Sequence, residues 1–244
     1  MISLLILAAT TGSLEETRFN DCVAKVESDP VAATDVADKW RLAGGGIPAR
    51  QCLGLAYAAQ AQWAAAAVAF EQAARDAEAI QDSRTARLWV QSGNAALAAG
   101  NAAKASAALD AALSSASLTG REAGEAHLDR ARAMVALSDI KRARADIDKA
   151  LTLVPQDPLA WLLSATLARR TGDLERAASD ISEAVKLSPD DASVALEAGN
   201  IAILAGSEAA AREAWEAAVR VAPSTPAGKA AAASLAQLGA APAP

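Results

Sequence analysis

The side chains that carry most enzyme chemistry are scarce in this sequence. It holds one histidine and two cysteines in 244 residues, too few for a Cys/His metal centre. His127 stands far along the chain from both Cys22 and Cys52, so it reads as a packing residue, neither a ligand nor a general base. A lone histidine completes no convincing Ser-His-Asp arrangement. Gly44-Gly45-Gly46 is followed by Ile47-Pro48, not by Lys-Ser/Thr, so the run ends a helix and does not cradle a phosphate. Glu15-Glu16 and Asp190-Asp191 fall at expected helix starts, where the macrodipole favours carboxylates. The sequence therefore predicts a protein without catalytic residues, metal or cofactor. A net charge of −6 argues against a partner held by phosphate contacts, so no nucleic acid is expected.

What must position any binding residues is helical. There are 69 alanines, aromatic residues make up 3% of the chain, and the 14 glycines and 9 prolines are clustered. Alanine is the strongest helix former, and this composition excludes an all-β fold. Hydrophobic residues at 52% against 21% charged place the chain among ordered proteins.

The helices are ordered by a repeat. Pro155, Pro189 and Pro223 lie 34 residues apart, and three further registers recur with them. Eight residues before each proline stand Ile147, Ile181 and Trp215, and twelve before stand Ala143, Ala177 and Ala211. Gly172 and Gly206 share one position, and Ala131, Ala165 and Gly199 share another. Alternating small and large residues at fixed spacing is what two closely approaching helices need. Capping signals fall at the same boundaries: Asp29-Pro30, Asp157-Pro158 and Thr225-Pro226 open helices, and Gly100-Asn101, Gly172-Asp173 and Gly206-Ser207 separate them.

These marks resemble the tetratricopeptide repeat, a 34-residue helix–turn–helix unit. Leu53-Gly54, Tyr57, Ala66, Phe70 and Ala73 give the fullest match, and Trp89, Gly93, Gly100, Ala105, Leu109 and Ala112 give a second. Five repeats are read at 47–80, 86–119, 124–157, 158–191 and 192–225. Arg50 and His127 stand where the family prefers Trp, and the first two units lack the closing proline. The resemblance implies an all-α fold, a right-handed α-solenoid of about thirteen helices. A shorter hairpin is expected over 15–46, a capping helix over 226–238 and a disordered tail over 239–244. In the hairpin, Phe19, Cys22, Val23 and Val26 should share one face, with Val36, Trp40 and Leu42 on the second helix.

The resemblance also implies a concave groove lined by the first helix of each pair. Its positions here hold Arg87, Asn94 and Leu97, then Leu128, Arg132 and Val135, then Leu162, Thr166, Arg169 and Arg170, then Leu196, Asn200 and Ile203. Asn94 and Asn200 match the family's peptide-holding amides. The family's carboxylate clamp wants Lys where Val90 stands, so capture of a free C-terminus by that clamp is not implied. Arg130 and Asp146 occupy positions of a structural ion pair, whereas Asp180 faces Ser164 in the next repeat and needs another partner. Cys22 and Cys52 stand at matching points of consecutive hairpins, where they either form a disulfide or remain two buried thiols.

The expected function is a scaffold taking an unidentified protein or peptide segment, acidic or mixed, in the groove. The alternative is a structural subunit of a cell-envelope assembly, packed through its convex face or termini. Residues 1–14 read either as a signal peptide or as a frayed start, because the apolar run Ile2–Ala9 is too short to span a bilayer and has no preceding Lys or Arg. Export to the periplasm is favoured over a cytoplasmic location.

Overall fold

A computed structural model describes residues 2–115 and 117–240. It contains thirteen α-helices and, among the described residues, no strand. The chain divides into two compact units, Met1–Ala143 and Arg144–Pro244. In the first lie α1 (Ile2–Ser28), α2 (Pro30–Leu42), α3 (Gly46–Ala59), α4 (Trp63–Ala79), α5 (Thr85–Ala98), α6 (Ala102–Ser114) and α7 (Gly120–Ala136). The boundary falls within α8 (Ile140–Leu153). The second unit continues with α9 (Pro158–Thr171), α10 (Leu174–Leu187), α11 (Ala192–Leu204), α12 (Glu208–Val221) and α13 (Pro226–Ala240). Consecutive helices pack in pairs, α3 with α4, α5 with α6, α9 with α10 and α11 with α12.

Side-chain caps open several of these helices. The carboxylates of Asp29, Asp157, Asp173 and Asp191 and the amide oxygen of Asn101 accept from backbone N–H groups of the first turn, satisfying donors that have no partner inside the helix. The turn inside each pair needs one residue at positive φ. Gly100, Gly172 and Gly206 fill it at φ +74°, +82° and +77°. Ala61 and Ser138 fill the same register at φ 56° and 63° despite carrying a Cβ.

Within a pair, a small residue on the first helix receives a large one from the second. A Cβ added at Gly54 would stand 2.6 Å from Phe70, and one at Gly93 would stand 2.6 Å from Leu109. Gly199 lies under the indole of Trp215 in the same way. Where the large residue is Ile181, the small one is Ala165, and both are buried in one cluster. Volume is thus matched pair by pair, and each buried large side chain contributes about 1.5–3 kcal/mol.

The first pair differs. Cys22, Trp40, Cys52 and Leu53 form its buried cluster, with Phe19, Val26 and Tyr57 against it. On α2, Trp40 is buried, whereas Val36 is 47% exposed and Leu42 71%. Helix α1 runs unbroken from Ile2, well before the start expected at residue 15. Helix α13 reaches Ala240, two residues beyond the expected end; the tail residues 241–244 lie outside the described part.

Candidate functional site

The residues expected to line a groove fall into both units. In the first, Arg87 on α5 pairs with Glu122 at 2.8 Å, both largely exposed. Asn94, also on α5, stands near enough to the carboxylate of Asp129 to favour its charged form. Arg132 on α7 reaches the same carboxylate at 3.2 Å. Burial pushes the Asp129 carboxyl above the usual carboxylate range, against the opposing Arg132 charge, the nearby Asn94 amide and the hydrogen bond from Arg132. Leu128, expected in the groove, is 2% exposed and belongs to the core.

In the second unit, Arg169 on α9 donates from Nε and Nη2 to both oxygens of Glu197 on α11, at 2.6 and 3.2 Å. Glu197 is buried, and this bidentate pair compensates its charge. Its Oε2 also accepts from the Asn200 amide at 3.3 Å, and the Asn200 oxygen accepts from the indole N–H of Trp215 at 3.2 Å. Arg169, Asn200 and Ile203 line a cavity of about 440 Å³ together with Trp215 and with Ser234 and Leu238 of α13. Arg170 is exposed and does not line it.

The other candidate residues lie apart from these two clusters. Arg130 pairs with Asp110 at 2.8 Å, and Asp110 also takes Arg142 at 3.1 Å. Asp146 is buried on α8. Asp180, expected to need a new partner, accepts from the Ser164 hydroxyl at 2.5 Å and from Arg176, one turn earlier on α10, at 3.2 Å. Arg144 binds the hydroxyl and carbonyl of the same Ser164. His127 is half-buried on α7. Cys22 on α1 and Cys52 on α3 form a disulfide, with Cα atoms 6.3 Å apart. Among the described residues there is no cluster of three or more potential metal ligands, and no helix is long and apolar enough to cross a membrane.

A tetratricopeptide repeat family model matches residues 90–158 and 162–226, more than half of the chain. The chain belongs to the tetratricopeptide repeat family. No curated protein sequence matches it. Among solved structures, PilF of Pseudomonas aeruginosa superposes with a TM-score of 0.71 at 15% identity, covering 91% of this chain and 98% of that one. PilW, a widely conserved type IV pilus biogenesis factor, gives 0.72 at 18% identity, covering 88% and 97%. YrrB, a TPR protein with an unusual peptide-binding site, gives 0.57 at 17% identity, covering 76% and 90%. These likenesses establish the fold, that of the tetratricopeptide repeat solenoids.

The tetratricopeptide repeat register also explains what the sequence analysis missed. Asp129 and Glu197 stand two 34-residue periods apart, at the sixth position of their repeats. Each is a largely buried acid on a first helix that binds a groove residue of its own helix; Glu197 also binds Arg169 of an earlier helix, and Asp129 has Asn94 of an earlier helix beside it. Their signal in the sequence is an acid at one shared repeat position in the third and fifth units, with Leu163 at that position between them. The consequence for Asn200 is that its amide is oriented by a carboxylate, while Asn94 has Asp129 beside it. In Asn200 one N–H and one lone pair remain for a ligand.

Proposed function

We propose that this tetratricopeptide repeat protein is a non-catalytic interaction scaffold that holds an extended partner segment at its groove residues, with the α9–α11–α13 cavity as the principal contact. What carries the proposal is that cavity: its volume of about 440 Å³ lies in the range of ligand pockets, and Trp215 and Ile203 offer apolar lining beside the polar ends of Arg169 and Asn200. Arg169 keeps guanidinium N–H groups not used by Glu197, and Asn200 keeps its spare donor, so a peptide carbonyl or carboxylate finds preorganised donors there. In the first unit Asn94 and Arg132, both exposed beside Asp129, supply a further polar contact for the same kind of segment. The partner is a protein or peptide of acidic or mixed character, and not a nucleic acid.

The setting we propose is the periplasm. The disulfide supports it, because such bonds persist in oxidising compartments, and so does the apolar run Ile2–Ala9. The fold neighbour PilW, a type IV pilus biogenesis factor, is in keeping with an envelope role.

The test is affinity purification from the native host with the intact protein, with Ile203→Asp, and with the Arg132→Ala/Arg169→Ala pair. Partners lost from both variants support groove binding. A complex that survives both changes favours the structural-subunit reading, in which the protein packs through its convex face or termini.

A further inference from the structure

A second cleft lies in the first unit, remote in sequence from the groove residues of the proposed scaffold function. It is the space between α1 and α2, about 650 Å³. On each helix the lining residues follow an i, i+3, i+4, i+7 stripe, starting at Arg18 on α1 and at Val36 on α2. Such stripes are single helix faces, so the cleft is a straight V about two turns long, roughly 10 Å by helical rise. Trp40 forms its floor at 5% exposure, and Val36 stands on its wall at 47%.

The charge of the cleft is opposite to that of the chain. The net charge of the protein is −6, yet Arg18, Lys25 and Lys39 line the cleft against the single acid Asp21. Lys25 reaches Asp29 at 3.7 Å with both side chains over 40% exposed. Arg18 and Lys39 have no carboxylate partner among the described residues. The guanidinium of Arg18 instead stands 5.1 Å from the Trp40 ring centroid, a cation–π contact that holds the charge at the mouth of the cleft. The other arginines of the first unit are spent on carboxylates, as in Arg50–Asp76, Arg84–Asp82 and Arg87–Glu122.

We propose that the α1–α2 cleft is a docking site for an acidic amphipathic helix of a partner protein, distinct from the groove. An apolar stripe of about two turns would seat on Val36 and Trp40, and flanking Glu or Asp side chains would meet Arg18 and Lys39. This is the helix-in-groove mode of recognition, with cationic rims selecting the partner's charge. An anionic lipid surface is the weaker fit. The apolar floor is recessed, and Trp40 is too buried to insert into a bilayer.

The experiment uses the intact, disulfide-bonded protein and a labelled synthetic helix, acetylated and amidated, with leucines at i, i+3, i+4 and i+7 flanked by Glu. A second peptide carries Lys for every Glu, and vesicles of phosphatidylglycerol and phosphatidylcholine serve as the lipid probe. Anisotropy should show the acidic helix binding at least about tenfold tighter than the basic one. Lys39→Glu and Val36→Asp, both exposed substitutions that spare the fold, should each weaken it roughly tenfold, while Arg169→Ala leaves it unchanged. Equal binding of the two peptides overturns the proposal. So do full binding by Val36→Asp, loss of binding in Arg169→Ala, and binding to vesicles without binding to the acidic helix.

Discussion

Gly54 and Phe70 meet so closely that no Cβ fits at 54: it would come within 2.6 Å of the ring carbons Cδ1 and Cε1. Gly54→Ala should therefore destabilise the first unit by roughly 1–3 kcal/mol through overpacking. The Ala165–Ile181 pair shows the alternative solution. Adding Phe70→Ile to Gly54→Ala should recover part of the loss, giving a positive coupling in a double-mutant cycle followed by urea denaturation. Strictly additive losses would show that the two volumes are not matched to each other.

Ala61 and Ser138 hold the left-handed turn position that glycine holds at 100, 172 and 206. An L-residue in that conformation costs about 1–2 kcal/mol, partly offset by the extra unfolded-state freedom glycine brings. Ala61→Gly and Ser138→Gly should each stabilise by up to about 1 kcal/mol, read as a higher melting temperature. Gly172→Ala should move it the other way.

Two carboxylates should respond to pH with opposite sign. The hydrogen bond from Lys104, helped by Arg75 and opposed by burial, holds Glu71 below the usual carboxylate range. Its contribution is present above the unfolded-state value of about 4.3 and is lost as pH falls through the lower folded value. Asp129 is raised by burial. Folding then favours its protonated form, so its ionisation costs stability as pH rises from about 3.9 through the folded value. Glu71→Gln should accordingly lower stability at pH 7 more than at pH 3. Asp129→Asn should be better tolerated at pH 7 than Glu71→Gln, and should remove the decline in stability above pH 4 that this carboxyl causes. Denaturation midpoints across pH check both.

The Arg169–Glu197 and Arg87–Glu122 pairs separate buried from exposed charge. Glu197 is 8% exposed and Arg169 24%, against 44% and 64% for Glu122 and Arg87. Arg169→Ala leaves a buried carboxylate without its main partner and should cost roughly 2 kcal/mol. Arg87→Ala should cost less than about 1 kcal/mol. Comparable losses in chemical denaturation would place Glu197 in water.

The helix pairs were legible because their signals are local: a 34-residue period, small residues facing large ones, and caps at the ends. The side-chain partners were not. That Glu197 would be shared by Arg169 and Asn200 depends on how α9 and α11 pack, which no spacing within either helix encodes. Likewise, helical periodicity put Leu128 on the groove side, yet it is 2% exposed; close packing of α7 extends the core round to that face. Nor was the exposure of Val36 legible, because α1 and α2 leave a cleft between them where tighter pairs interdigitate.

The bond between Cys22 and Cys52, 30 residues apart, gives the protein a mechanical property. A load drawn through the chain from its ends would cross from α1 directly to α3, and α2 would carry none of it. Roughly 100 Å of contour, at about 3.4 Å per residue, stays out of reach of the pulling force until a reductant cuts the link. A pull on the N-terminal helix therefore enters the first tetratricopeptide repeat at Cys52 and leaves the enclosed segment, α2 included, unextended.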